Sequence, residues 1–170
     1  SVAPFSKGVT EAAAGGRDPL SAKFLMAPWV KSHWPKYVEG CERVGRKADP
    51  ANWRVARSIF VADDEKTARE YALGAKSSYR YYYEQLYAKM KWGGRLELFK
   101  TRRDQPDSDV NSEDVCNALI TYGTPDKVAD EILKYRETVG DFGTLLYAGK
   151  DWVDEKLARR TMVLLAEKVL

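Results

Sequence analysis

The strongest constraint on the fold is an alternation between short apolar segments and longer amphipathic segments along the chain. Residues 53–61 (WRVARSIFV) are rich in β-branched and aromatic side chains, which predicts a strand. Shorter apolar runs at 1–5 (SVAPF), 20–25 (LSAKFL) and 142–147 (FGTLLY) predict further strands. Helical segments separate them, and this order is typical of parallel α/β proteins. We therefore expect an α/β fold with about four short parallel strands and flanking helices.

Capping signals and charge patterns place the helices between these strands. Helical character begins at Asp63 and persists through a tyrosine-rich stretch, so we predict helix over 63–90. Residues 93–117 are polar and contain two glycines and a proline, which predicts a long loop. The segment 123–126 (GTPD) puts Pro at the first helical position with an acid behind it, and therefore starts another helix. A last amphipathic helix is predicted over 155–169.

Length and charge limit the classes of protein that fit this pattern. The chain has 170 residues, which fits one domain. A closed eight-stranded barrel needs about 200 to 250 residues, so the strands form either a small open sheet or part of a larger barrel. The chain carries 28 basic and 25 acidic residues, a balance that favours neither a nucleic-acid nor a membrane partner. No apolar run is long enough for a membrane span.

Cysteine and histidine usage restricts the chemistry and the compartment. Cys41 and Cys116 do not form a disulfide framework, so reduced thiols in a cytoplasmic protein are expected. The single histidine, His33, excludes a multi-histidine metal site. The sequence starts at Ser1 with no Met and no basic–apolar leader. We therefore expect no secretory signal, and we expect that upstream residues have been removed.

Three segments resemble the luciferase-like, flavin-dependent monooxygenase family. They are WRVARSIFVADDEKTAREYA at 53–72, YGTPDKVADEILKYRETVGDFGTLLYAG at 122–149, and DWVDEKLARRTMVLLAEKV at 151–169. Within them, GTPDKVADEIL and VGDFGTLLYAG are the most diagnostic, because they occur in the family's order and at a matching distance. Residues 1–52 match more loosely, and the polar segment 93–117 matches least.

The resemblance implies a particular architecture. The family folds as a (β/α)₈ barrel of roughly twice this length. By this resemblance, residues 1–170 are the C-terminal portion of such a barrel, beginning near its sixth strand. A helical and loop insertion is expected at about 74–118. The strand count agrees, because about four strands are too few to close a barrel.

The resemblance also implies flavin chemistry. Family members bind reduced FMN at the C-terminal mouth of the barrel and use dioxygen to oxygenate a small organic substrate, while the protein binds, orients and excludes water. A separate flavin reductase commonly supplies the reduced cofactor, and homodimers are common. Most residues that contact the flavin ring come from the N-terminal half, so the catalytic residues of this chain are unknown. A deazaflavin-dependent oxidoreductase of the same fold is the alternative.

One cofactor contact is implied within the chain. The family often holds the flavin phosphate with a serine-containing loop after a late strand, which here corresponds to residues 4–8 (PFSKG). Ser6 offers a hydroxyl, Lys7 a positive charge, and Gly8 allows close approach of the backbone at a helix start. These three residues are the candidate cofactor-binding residues. An ordinary helix cap beside a tight turn is the alternative interpretation.

Three other features each have a functional and a structural interpretation. His33 begins a helix after a predicted strand, where it either contacts a ligand at the barrel mouth or packs at the helix start. Tyr79, Tyr83 and Tyr87 form a stripe at i, i+4 spacing, which favours packing over base stacking in a non-catalytic interaction domain. The acidic residues 63–65 are interpreted as complements of a helix dipole, and no metal is predicted.

Overall fold

A parallel sheet built around one long strand organises the fold. The computed structural model describes residues 8–150 and 153–169, so the predicted strand at 1–5 lies outside the described residues. The described strands are β1 (Leu20–Ser21), β2 (Arg54–Val61), β3 (Ile120–Gly123) and β4 (Thr144–Tyr147). All of their pairings are parallel, which confirms the α/β prediction.

Helices connect and cover these strands. The α-helices of the described residues are α1 (Gly8–Ala14), α2 (Ala27–Lys31), α3 (His33–Glu42), α4 (Glu65–Leu73), α5 (Ser78–Trp92), α6 (Ser112–Leu119), α7 (Pro125–Val139) and α8 (Glu155–Leu164). A π-helical segment, Leu165–Val169, continues α8. Of the described helices, none is long and apolar enough to span a membrane.

Strand β2 pairs with each of the other three strands. Arg54 and Val55 pair with both β1 and β4, so these two strands lie on opposite edges of β2. The second half of β2, from Ser58 to Val61, pairs with β3. Burial explains the apolar composition of β2, because all but two of its residues are buried, as in parallel strands covered on both faces.

Arg57 is the one charged side chain buried within β2. Its guanidinium donates a hydrogen bond to the carbonyl oxygen of Ala118 at 2.9 Å. The same group lies over the ring of Tyr135 on α7, 4.6 Å from the ring centre. A buried cation is stabilised by such contacts. Arg57 thereby links β2 to the elements that lead into β3 and to α7.

The structure corrects several predicted boundaries. The prediction of a loop over 93–117 is wrong at its end, because α6 begins at Ser112 and leads directly into β3. Asn111 caps α6 by accepting a hydrogen bond from the backbone N–H of Asp114. The predicted strand at 20–25 is shortened to Leu20–Ser21, and the helix predicted over 63–90 is two helices. Ser77 caps the second of these, α5, and so separates it from α4.

The outer strands are only partly covered. Of the described strands, β1 and β4 each pair only with β2. Leu20 of β1 and Leu146 of β4 each expose 39% of their surface, whereas Val55 between them on β2 is fully buried. Strands of a closed barrel have a neighbour on both edges. The sheet is therefore an open arc of parallel strands.

Candidate functional site

A cavity of about 950 Å³ lies at the carboxyl ends of β1 and β4, the end of a parallel sheet where α/β proteins bind ligands. Three lysines and three tyrosines dominate its lining, and no acidic side chain is among the described lining residues. The six residues are Lys23, Lys89, Lys150, Tyr81, Tyr82 and Tyr147. The cavity therefore combines positive charge with flat aromatic surface.

Helix α5 forms one wall of this cavity and is fixed to β2 by two tyrosine hydroxyl groups. Tyr79 donates a hydrogen bond to the carbonyl oxygen of Ile59 at 2.9 Å. Tyr83 donates to the carbonyl oxygen of Lys23 at 3.2 Å and therefore accepts from the hydroxyl of Ser58, which lies 2.8 Å away. Burial raises the pKa of both tyrosines, so their hydroxyl groups stay protonated and remain donors.

The packing face of α5 decides which tyrosines reach the cavity. Tyr79 and Tyr83 are buried, whereas Tyr81 exposes 65% of its surface. The hydroxyl of Tyr87 donates to the carbonyl oxygen of Val110 at 2.8 Å, so the whole predicted stripe is used for packing. Tyr81 and Tyr82 are left on the cavity side. The stripe therefore packs in the interior, whereas the neighbouring Tyr81 and Tyr82 line the cavity.

Two ammonium groups converge on the ring of Tyr82. The Nζ atom of Lys23 lies 4.8 Å from the ring centre, and the Nζ atom of Lys150 lies 3.6 Å from it. The ring of Tyr83 stands edge-on to Tyr82, with 5.0 Å between ring centres and 86° between their planes. Such cation–π contacts favour holding ammonium groups beside the ring. The same arrangement concentrates positive charge at the cavity wall.

The predicted phosphate loop lies mostly outside the described residues. Ser6 and Lys7 are not described, and Gly8 is the first residue of α1, where it is exposed. The assignment of Ser6, Lys7 and Gly8 to the flavin phosphate therefore stays a prediction.

His33 packs in the interior and does not line the cavity. It is fully buried at the start of α3, and its Nδ1 atom lies 2.8 Å from the Ser21 hydroxyl oxygen. The same oxygen accepts a hydrogen bond from the indole N–H of Trp53 at 2.9 Å. Burial, aided by the nearby charge of Lys36, lowers the pKa of His33 to about 4. His33 is thus neutral and structural, in agreement with the packing interpretation.

Each acidic residue at 63–65 has its own protein partner. Asp63 forms a two-point ion pair with Arg160 of α8. Asp64 caps α4 by accepting a hydrogen bond from the backbone N–H of Thr67 at 2.8 Å. Glu65 pairs with Lys127 and also accepts from the backbone N–H of Thr124. Hydrogen bonds to these partners lower the pKa of all three carboxyl groups.

The sequence analysis missed the three lysines of the cavity. Lys23 and Lys150 follow β1 and β4 within a few residues, and this position after a strand is the signal that could have found them. Lys89 carries no such signal, because it lies two turns along α5 from Tyr82, and only the docking of α5 brings it to the cavity.

Fold and cavity together define an open part of a parallel α/β barrel with a cavity at the carboxyl ends of two of its strands. The chain belongs to the luciferase-like monooxygenase family, whose model matches residues 12–141. The resemblance seen in the sequence is thereby confirmed.

Two curated relatives are monooxygenases of greater length. The 4-hydroxyprotoasukamycin monooxygenase of Streptomyces nodosus subsp. asukaensis is 28% identical over 167 residues, covering 98% of this chain and 40% of the relative. The 3,6-diketocamphane 1,6-monooxygenase of Pseudomonas putida is 24% identical over 128 residues, covering 74% of this chain and 33% of the relative. The chain thus spans well under half the length of these proteins.

Solved structures share the fold over nearly the whole chain. The FMN complex of the oxygenating constituent of 3,6-diketocamphane monooxygenase from Pseudomonas putida matches 95% of this chain and 44% of its own, with a TM-score of 0.80 and 23% identity. The coenzyme F420-dependent tetrahydromethanopterin reductase from Methanopyrus kandleri matches 95% of this chain and 46% of its own, with a TM-score of 0.54 and 18% identity. The described strands therefore correspond to less than half of such a barrel.

Proposed function

We propose that residues 1–170 form the C-terminal part of an FMN-dependent monooxygenase, with an insertion at about 74–118 that builds the cavity wall. The observation that carries this proposal is the close fold match to the FMN-bound oxygenating constituent of a diketocamphane monooxygenase. The curated relatives are also monooxygenases. The reaction is the oxygenation of a small organic substrate by dioxygen and reduced flavin.

The residues of this chain fit the binding side of that chemistry. Reduced FMN supplies the reactivity toward dioxygen. The cavity at the strand ends lies where barrels of this kind bind their ligands. Ser6, Lys7 and Gly8 would hold the flavin phosphate at a helix start. In this proposal the chain binds and orients, and the catalytic residues lie in an upstream half that completes the ring of strands.

The cellular setting belongs to the same proposal. A separate flavin reductase supplies reduced FMN, the protein acts as a homodimer, and it works in the cytoplasm. The two cysteines support a reducing compartment, because both are buried and neither forms a disulfide.

A deazaflavin-dependent oxidoreductase is the second candidate. The fold match to a coenzyme F420-dependent reductase favours it specifically. That match has a TM-score of 0.54, against 0.80 for the FMN complex, so FMN is the first choice.

Cofactor retention by the protein produced from its complete reading frame tests the proposal. We expect the purified protein to retain FMN over coenzyme F420 and to consume dioxygen when given reduced FMN. The double substitution Ser6→Ala and Lys7→Met is expected to weaken FMN binding about tenfold while leaving riboflavin binding unchanged. Retention of coenzyme F420 with no oxygen uptake would establish the alternative. An equal loss of affinity for FMN and riboflavin would show that these residues do not bind the flavin phosphate.

A further inference from the structure

We propose that the lysine–tyrosine cavity binds the substrate as a planar organic anion, with its carboxylate-type group at Lys23 and Lys150 and its ring against Tyr81 and Tyr147. That this anion is the substrate rests on the proposed function. That the cavity binds an anion does not depend on it. The first observation is the convergence of two ammonium groups, 4.8 and 3.6 Å from one ring centre. Like charges gathered on one wall favour a bound negative group.

The composition of the lining points in the same direction. Lys89 adds a third ammonium group, while the described lining residues contribute no carboxylate. The cavity thus concentrates positive charge at the ligand-binding end of the sheet, where a neutral apolar substrate would gain little from it.

The backbone that carries the two lysines is held in place before any ligand arrives. The carbonyl oxygen of Lys23 accepts the hydrogen bond of Tyr83, which is itself buried and bonded to Ser58 of β2. Lys150 follows β4, whose continuation is fixed by the hydrogen bond from the Ala148 N–H to the Arg57 carbonyl oxygen at 2.9 Å. A site whose backbone is already ordered loses less entropy on binding.

The aromatic surface accounts for the planar part of the ligand. Tyr81 is largely exposed, and Tyr82 and Tyr147 are half-buried along the same cavity. Aromatic faces bind flat apolar groups by stacking, and they leave the ligand edge free to meet the ammonium groups. A ring that bears a carboxylate satisfies both parts of the lining at once.

Binding of benzoate to the 170-residue chain tests the inference without any flavin. Benzamide is the matched probe, because it keeps the ring and shape but has no charge. We expect saturation-transfer NMR and calorimetry to show benzoate binding at least about tenfold tighter than benzamide, and to weaken as salt rises. Equal binding of the two probes, or no benzoate binding, would overturn the inference. Neither result bears on FMN retention by the complete protein.

Variants locate the anion site. Lys23→Met and Lys150→Met are each expected to weaken benzoate binding about tenfold while benzamide is unaffected. Lys134→Met on α7 removes the same charge away from the cavity and should change neither affinity. An equal loss of benzoate affinity in Lys134→Met would show that net charge alone causes the effect, and it would contradict the assignment. Competition by FMN but not by riboflavin would assign the cavity to the flavin phosphate and reject a substrate anion.

Discussion

His33 shows how one buried side chain is specified by its partners. The indole N–H of Trp53 donates to the Ser21 oxygen, and the Ser21 hydroxyl can then donate to Nδ1 of His33. In that arrangement the ring is neutral and carries its proton on Nε2, which is buried without a hydrogen-bond partner among the described residues. Burial is the main reason that the pKa of His33 falls to about 4.

The low pKa of His33 predicts a loss of stability in mild acid. In the unfolded chain His33 titrates near 6.5, whereas in the folded chain it titrates near 4. Between these values the unfolded state binds more protons, so the free energy of unfolding falls as pH drops from about 6.5 to about 4. The full contribution is about 3 kcal/mol, to be measured by urea unfolding across this range.

The variant His33→Gln isolates this contribution. It keeps a polar side chain for Ser21 but has no titration in this range, so its stability should change less with pH than that of the unmodified chain. Glu131 acts with the opposite sign, because burial raises its pKa, and it is present in both proteins. Parallel pH curves for the two proteins would show that His33 does not titrate as described.

At the scale of elements, the contact between α1 and α3 depends on a glycine. A methyl group built on Gly40 would overlap the carbonyl oxygen of Thr10 and lie 2.6 Å from the Cβ atom of Ala13. Helix backbones pack this closely only where no side chain intervenes. Gly40 therefore sets the distance between the two helices, next to the buried cluster of Val9, Tyr37 and Cys41.

Replacement of Gly40 by alanine reverses the usual rule for helices. Alanine normally stabilises a helix interior by about 1 kcal/mol relative to glycine. Here the overlap with α1 should instead lower the free energy of unfolding by about 1–3 kcal/mol in urea titrations. Gly15→Ala is the control, because its nearest atom is 3.4 Å away, and we expect a change within about 0.5 kcal/mol. A Gly40→Ala protein as stable as the parent would refute the close contact.

At the scale of the whole molecule, α8 is bonded to the central strand from the far end of the chain. The backbone N–H of Val61 donates to the Thr161 hydroxyl oxygen at 2.6 Å, and Thr161 is fully buried. Nearby, Arg160 pairs with Asp63 just after β2. The carbonyl oxygen of Ile59, two residues before Val61, accepts from Tyr79. Side chains from α5 and α8 thus form hydrogen bonds with backbone groups in the part of β2 that does not pair with β4.

Thr161→Val tests this long-range link. Valine has nearly the same shape but leaves the buried Val61 N–H without an acceptor, which should cost about 1–3 kcal/mol of unfolding free energy. Hydrogen exchange of the Val61 amide should accelerate accordingly. Thr138→Val removes an exposed hydroxyl on α7 that bonds only within its helix, and should change stability by less than about 0.5 kcal/mol. Unchanged exchange at Val61 in Thr161→Val would contradict the link.

Local chemistry explains which elements could be predicted from the sequence. The β-branched run of β2 and the GTPD start of α7 specify their own structure, because propensity and capping act within a few residues. The pair α6–β3 escaped prediction because its polar first turn resembles the loop before it. Its helical face, formed by Val115, Cys116 and Leu119, becomes evident only when packed against the core.

The sequence by itself determined the α/β class, the parallel strands and the family, since strand pattern, helix starts and the family's segments are all local features of the chain. Only the tertiary structure decided where charge collects. Lys23, Lys89 and Lys150 are far apart in sequence, and they meet because β1 and β4 flank the same strand while two tyrosine hydroxyl groups fix α5 above their carboxyl ends. Such a meeting depends on contacts between distant residues, which no local pattern encodes.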